Sequence, residues 1–201
     1  LTFAMYETFI NWDEAMAHAI TGIILSCCTF LVTIALELLS LETVRRVLNQ
    51  KGAGMPLYVA AIHANLTNHF VFGWPIYCIA ATVFCRKNQE FTLAERTVTV
   101  SGIVFVHSIL FYIAHRSFHL NKDLYKHHRF HHRFNIHVPP MAANAVSPVE
   151  YVVAYIMPFT VGTMLTRPDP ISLQISVAIV AMTNLLIHMP KLVDMSEKFI
   201  P

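Results

Sequence analysis

The sequence predicts an all-α fold, a polytopic membrane bundle of about four to five spanning helices with a histidine-rich helical segment at one end. Only 13% of the 201 residues are charged and 55% are hydrophobic, whereas about a quarter of a soluble domain is charged. Because a helix needs about 20 apolar residues to cross a bilayer, several charge-free stretches are long enough to span one. Lys, Arg, Asp and Glu are absent from residues 15–36, 52–85, 97–114, 151–166 and 171–190. A soluble protein with five buried helices would need more polar chain to cover them.

The first half of the chain contains two apolar stretches. Residues 1–14 are polar and aromatic, which is typical of a membrane-interface lead-in, and the first span is expected at about 17–37. A charged segment follows and ends in the turn-forming run Gly52-Ala53-Gly54-Met55-Pro56. The next uncharged stretch, about 57–84, contains Gly73-Trp74-Pro75, so it is either one kinked span or a re-entrant pair.

The second half contains three more apolar stretches. A span at about 98–114 leads directly into His115, and a polar segment, 115–150, follows it. Two shorter apolar helices are expected at about 151–166 and 171–189, joined by a tight hairpin at Arg167-Pro168-Asp169-Pro170. We therefore divide the chain into 1–56, the lead-in with the first span, and 57–201, the functional domain.

The distribution of basic residues predicts which side of this bundle faces the cytoplasm. If five segments alternate across the bilayer, the loops on the side of residues 115–150 carry ten Lys and Arg residues, and the opposite side carries four. Short basic loops remain cytoplasmic, so the histidine-rich segment and the tail after Lys191 are expected to face the cytoplasm. The small net charge of +2 gives no indication of nucleic-acid binding.

Histidine is concentrated in one place. Seven of the twelve histidines lie between His115 and His137. His115 and His119 are four residues apart, which places them on one helical face, and the spacing of His128, His131 and His132 suggests a second such face. Neutral imidazole is a common ligand of iron, copper and zinc. Five histidines exceed what one zinc ion needs, so the pattern favours two metal ions.

Other readings of the histidines are less specific. His63, His69 and His107, within the apolar stretches, are expected to be satisfied interhelical polar residues. A histidine-rich run also occurs as a loose surface tract that binds metal or as a loop that binds lipid headgroups. The four cysteines lie in or at the ends of apolar runs without a CxxC motif, so they predict neither a disulfide framework nor a zinc site.

The two histidine boxes carry a family resemblance. His115-Arg116-x-x-His119, Leu124-Tyr125-Lys126 and His128-x-x-His131-His132 resemble the fatty acid hydroxylase/sterol desaturase superfamily of integral membrane di-iron enzymes. Ala145-x-Ser147-Pro148-x-Glu150 resembles the segment that follows the second box, although many members have His at the position of Ser147. The resemblance implies that His188 is an isolated further ligand, while Asn184 replaces a histidine found in some members.

The resemblance also implies a reaction and its components. It implies hydroxylation or desaturation of a sterol or fatty acyl lipid by two iron ions, with zinc as a possible substitute. Electrons would come from NAD(P)H through a separate reductase and a cytochrome b5-type carrier, at the endoplasmic reticulum if the source is eukaryotic. A final HxxHH box is expected within about 15 residues after Pro201. The resemblance selects His128 over His127, which becomes an auxiliary residue, and leaves His137 without a role.

The alternative to an enzyme is a histidine-rich membrane protein that binds or transports metal. Such a protein should carry polar or charged ligands deep within its spans. Only His63, His69 and His107 meet that description in the sequence. A membrane hydrolase is less favoured, because the chain contains no GxSxG motif.

Overall fold

The computed structural model describes residues 12–50, 54–86, 89–134 and 138–189, and in these ranges the ordered elements are all helical. We number the α-helices in chain order. They are α1 (Trp12–Leu39), α2 (Leu41–Leu48), α3 (Gly54–Thr67), α4 (Trp74–Phe84), α5 (Leu93–Leu120), α6 (Lys122–His128), α7 (Pro148–Glu150), α8 (Met157–Thr166) and α9 (Pro170–Leu186). The π-helical segments Asn68–Gly73 and Tyr151–Ile156 join α3 to α4 and α7 to α8, and 3₁₀ turns occupy His131–Phe134 and Pro140–Asn144.

Within the described residues, three helical segments are long and apolar enough to cross a membrane: Trp12–Leu39, Leu93–Leu120 and Pro148–Thr166. Helix α9 is apolar but shorter, with 17 residues. The predicted helical membrane bundle is confirmed. The additional spans expected from the sequence correspond to the α3–α4 segment and to α9, and their crossing of the membrane stays a prediction.

The stretch that contains Gly73-Trp74-Pro75 forms one uninterrupted helix from Gly54 to Phe84, so the re-entrant alternative is wrong. Pro75 lies in the first turn of α4, and the preceding π turn re-spaces the backbone hydrogen bonds that a proline would otherwise break. The resulting wide turn contains Asn68 and His69, both buried. Wide turns of this kind often occur at functional sites.

Buried polar side chains hold the loop before α7 against this helix. Asn65 donates to the carbonyl of Met141 at 2.8 Å, and Asn68 donates to the carbonyls of Asn144 and Val146 at 3.1 Å. Since buried backbone carbonyls need partners, these amides fix a loop whose regular structure is limited to the 3₁₀ turn Pro140–Asn144. The loop in turn sets the position at which α7 begins.

Helix α5 positions the histidine-rich segment. Its start is fixed by a capping box in which Thr92 and Glu95 bond each other's backbone N–H. Its 28 residues extend about 42 Å at a rise of about 1.5 Å per residue, which exceeds a hydrocarbon core of about 30 Å. Asn121 follows its last turn and caps the start of α6 by accepting from the N–H groups of Asp123 and Leu124.

Helices α8 and α9 are joined by the short turn that the sequence predicts, and each packs against α5. Arg167 ends α8 in the left-handed region at φ 47°, and Asp169 caps α9 by accepting from the N–H of Ser172 at 3.1 Å. Asp169 also pairs with Arg96 of α5 at 3.2 Å. Gly162 lets α8 approach α5 closely, because a Cβ there would lie 3.1 Å from the carbonyl oxygen of Ile103.

Candidate metal centre

The last turns of α5 present the first two imidazoles. His115 and His119 lie one turn apart on the same face, with their Nε2 atoms 3.2 Å apart, which confirms the helical spacing predicted from the sequence. His119 is exposed and His115 is half-buried. This helix end is therefore accessible on one side and packed on the other.

His128, the last residue of α6, completes a triad with this pair. It is fully buried, and its Nε2 lies 3.1 Å from Nε2 of His119. The ligand atoms of His115, His119 and His128 all lie within 4.8 Å of one another. A fourth imidazole, His132, brings its Nε2 to 2.8 Å from that of His128.

These separations fit a shared metal ion. When two ligand nitrogens each lie about 2.1 Å from one ion, they are about 3.0 Å apart if the nitrogen–metal–nitrogen angle is a right angle. They are about 3.4 Å apart if that angle is tetrahedral. The contacts between neighbouring Nε2 atoms, 2.8 to 3.2 Å, fall close to these values. The donor set consists of imidazole nitrogens, the chemistry that iron, copper and zinc accept.

The second box does not form the single helical face expected from its spacing. Helix α6 ends at His128, Arg129 and Phe130 turn, and His131–Phe134 form a 3₁₀ turn. The early end of α6 changes the direction of the chain. His132 consequently faces the triad, while His131 packs against His188.

His131 and His188 form a second, smaller group. Their ring centroids lie 5.4 Å apart, and Nδ1–H of His188 donates to the carbonyl of Asn184 at 2.7 Å. That bond leaves Nε2 of His188 as the available ligand atom. Burial, with His188 nearby, lowers the pKa of His131 to about 3, and burial also lowers the pKa of His188. Both rings are therefore neutral at pH 7, the form that binds metal.

A buried carboxylate, which the sequence did not reveal as part of the site, orients His128. Oε1 of Glu150 lies 2.6 Å from Nδ1 of His128, and both side chains are inaccessible to solvent. A histidine that donates one ring N–H to a carboxylate presents its other nitrogen to a metal in a fixed tautomer. The signal in the sequence was Ser147-Pro148-Val149-Glu150, the pattern of a helix start.

Ser147 has a structural role at the same helix start. Its hydroxyl accepts from the backbone N–H of Glu150 at 3.2 Å, and Pro148 occupies the first turn of α7. The serine that stands where many members of the resembling family have histidine is thus a helix cap. It fixes the turn from which Glu150 reaches His128.

The remaining residues of the predicted site lie apart from the triad. His127 is half-buried, and among the described residues it is not part of the triad. His137 and the tail from Lys191 lie outside the described residues. The basic side chains between the boxes are exposed, as expected for residues that face solvent or headgroups; these are Arg116, Lys122, Lys126, Arg129 and Arg133.

An apolar cavity lies beside this centre. Helices α1, α4, α8 and α9 provide most of its wall, and the surface that faces the cavity is mostly apolar. Phe111 links the cavity to the histidines, because its ring stacks on His115 at 5.3 Å and contacts Tyr155, a cavity residue, at 5.1 Å. The backbone carbonyl that holds His188 belongs to Asn184, which also lines the cavity.

Comparison with known proteins gives one match. The model of the fatty acid hydroxylase family matches residues 99–200, which include both histidine boxes, Glu150 and His188. No curated protein and no solved structure matches the chain significantly.

Proposed function

Because the chain belongs to the fatty acid hydroxylase family, we propose that it is an iron- and dioxygen-dependent oxidoreductase that hydroxylates or desaturates a membrane lipid of sterol or fatty acyl type. The observation that carries the proposal is the cluster of His115, His119, His128 and His132, whose neighbouring Nε2 atoms lie 2.8 to 3.2 Å apart. The cluster stands at the end of a membrane-length helix and beside an apolar cavity.

Two ligand groups would hold the metal. The four-histidine cluster would hold one iron, and His131 and His188 would contribute donors to a second. Zinc is a possible substitute, since all-nitrogen ligation does not by itself select one metal. Bound iron supplies the activation of dioxygen for attack on an unactivated C–H bond, chemistry that side chains cannot perform unaided.

The protein's own groups orient the ligands and the substrate. Glu150 accepts from Nδ1–H of His128, and the carbonyl of Asn184 accepts from Nδ1–H of His188, so both rings hold their Nε2 atoms ready for metal. The apolar helices would admit the lipid from the bilayer. Phe111 and Tyr155 would place its reacting carbon next to His115 and would exclude water from it.

The electron supply and the location complete the proposal. Electrons would come from NAD(P)H through a reductase and a cytochrome b5-type carrier that docks beside the exposed basic residues such as Arg116 and Lys126. The complementary charge of an acidic carrier would speed its association. The centre would face the cytoplasm, at the endoplasmic reticulum if the source is eukaryotic.

Metal transport is less well supported. A transporter needs polar or charged ligands along its path through the membrane. The cavity wall, as far as the described residues show it, contains two histidines but no carboxylate and no thiol.

The test uses the intact protein in nanodiscs with iron, NADH, reductase, cytochrome b5 and ¹⁸O₂. We expect NADH-dependent conversion of a lipid, with ¹⁸O in a hydroxylated product or with a new double bond. In parallel, metal flux is measured in liposomes that contain the protein. Flux without lipid turnover would overturn the proposal in favour of transport.

A further inference from the structure

Two buried histidines line the apolar cavity and have no part in the proposed metal centre. His69 lies in the π turn between α3 and α4, and His107 lies in α5. Each is 7% exposed and lines the cavity. Among the described residues, neither Nε2 has a hydrogen-bond partner. Both were expected from the sequence to be satisfied between helices, and in this respect the expectation is wrong.

The rest of each ring is held by its neighbours. His69 contacts Tyr151 edge-on at 6.2 Å, and its backbone carbonyl accepts from Ser26. His107 stacks on Phe111 at 5.9 Å and contacts Phe159 at 6.3 Å. These aromatic contacts would be made equally well by phenylalanine, so packing does not explain the choice of histidine at either position.

An unpartnered polar atom in an apolar site is costly. Two such atoms belong to residues from separate helices that line one cavity. A ligand that brings its own hydrogen-bonding group into the cavity would satisfy them. A ligand made only of hydrocarbon would leave them unpaired.

The position of His107 determines how far a group bound to it lies from the candidate metal centre. It precedes His115 by eight residues in the same helix, which is about 12 Å along the axis at a rise of about 1.5 Å per residue. A group bound at His107 therefore lies deeper in the apolar region than the histidine cluster, and the reacting carbon is separated from it by a comparable length of ligand.

We propose that His69 and His107 bind a hydroxyl or carbonyl oxygen of the lipid, so that the cavity selects an oxygen-bearing lipid over a plain hydrocarbon chain. The identification of this ligand as the substrate rests on the proposed function. The binding preference does not, because it belongs to the cavity and requires no metal.

The test measures binding to the metal-free, full chain in nanodiscs with two probes, tritiated hexadecan-1-ol and tritiated hexadecane. We expect hexadecanol to bind more tightly than hexadecane. His69→Phe and His107→Phe should each weaken hexadecanol binding by about 5-fold, the scale of one hydrogen bond, and should leave hexadecane binding within about twofold. His63→Phe, on the exposed side of the same helix as His69, is the matched control and should change neither.

Other results would overturn the proposal. Equal binding of the two probes by the unaltered protein would mean that the cavity satisfies its histidines with water. Equal weakening of both probes by His69→Phe and His107→Phe would mean that the rings only shape the wall. If a Phe variant does not fold, His69→Gln and His107→Gln, which keep a hydrogen-bonding group, replace it and should retain the preference for hexadecanol; its loss would contradict the proposal.

A second readout separates hydrogen bonding from packing. Removing an unpartnered polar atom should leave the thermal midpoint of the ligand-free protein unchanged or raised in His69→Phe, while hexadecanol should stabilise the unaltered protein more than the variant. A lowered midpoint with equal stabilisation by hexadecanol would overturn the proposal. Failure of lipid oxidation in the enzyme assay would leave these binding results intact, so the two proposals fail separately.

Discussion

The histidines of the candidate metal centre and the histidines within the apolar cavity have the same side chain in opposite conditions. In the metal centre, His128 is hydrogen-bonded to Glu150 and its Nε2 lies 2.8 to 3.1 Å from two other imidazoles. In the cavity, Nε2 of His69 and of His107 has no partner among the described residues. The first set could hold a metal ion, and we propose that the second binds a ligand. The comparison teaches that a histidine's partners, more than its burial, indicate what it binds.

The largest expected effect is the removal of His128. His128→Ala takes away the imidazole that links the triad to His132, so we expect loss of bound metal and a fall in lipid oxidation of about 10³-fold or more, because the effects of residues that act as a unit are not additive. The measurements are metal content and turnover in nanodiscs. His127→Ala is the control and should keep most of the activity. Equal loss in both variants would contradict the selection of His128.

Glu150→Gln should have the next largest effect. The neutral amide cannot replace the negative charge of the carboxylate beside Nδ1–H of His128. Loss of such a partner costs about 10- to 100-fold in metal affinity or activity. Glu90→Gln, at an exposed position, removes the same charge elsewhere and should leave metal affinity unchanged. Metal affinity that is unaltered in Glu150→Gln would show that the carboxylate only packs against the ring.

Acid should destabilise the metal-free protein progressively. The pKa of His131 is lowered to about 3 and that of His132 is also lowered, in both cases chiefly by burial. Because the unfolded chain takes up these protons near pH 6.5 and the folded chain does not, the stabilisation is complete above about pH 6.5. It is lost as the pH falls from there toward 3. Thermal midpoints measured from pH 7.5 to 4.5 test this, and His131→Phe should flatten the profile. A flat profile for the unaltered protein would contradict the account.

The smallest expected effect concerns the helix cap. Ser147→Ala removes the hydroxyl that accepts from the N–H of Glu150, at a cost of about 1 kcal/mol in the free energy of unfolding, with a modest loss of metal affinity through Glu150. Ser108→Ala, at an exposed position in α5, should change neither quantity. If Ser147→Ala lowers stability without any change in metal affinity, the cap does not position Glu150.

The sequence predicted those parts of the molecule that local periodicity determines. The spacing of His115 and His119 placed them on one face, and Arg167-Pro168-Asp169-Pro170 identified the turn between α8 and α9, because a proline-rich turn restricts the backbone by itself. The early end of α6 was not predictable in this way, since a seven-residue helix has too few turns for spacing to establish its length. The spacing of His128, His131 and His132 therefore suggested one helical face, whereas in the structure the chain turns after His128.

What depends on distant contacts was not readable from the sequence. Glu150 lies 22 residues after His128, and only the folding of α7 against α6 brings the two together. Whether His69 and His107 have hydrogen-bond partners depends on the side chains that fold against them. A single sequence does not show which these are. The π turn at Asn68–Gly73 likewise differs from an α-helix in hydrogen bonds that span five residues and not four, which the hydrophobic pattern does not distinguish.

The most direct test of the central claim is X-ray absorption at the iron edge, together with metal analysis, on the intact protein loaded with iron. The account predicts bound iron with a first shell of nitrogen and oxygen at about 2.1 Å, outer-shell scattering from several imidazoles, and no sulfur ligand. It also predicts that His128→Ala reduces both the iron content and the imidazole signal. Iron that is absent, ligated by sulfur or unaffected by His128→Ala would contradict the assignment of this cluster as the metal centre.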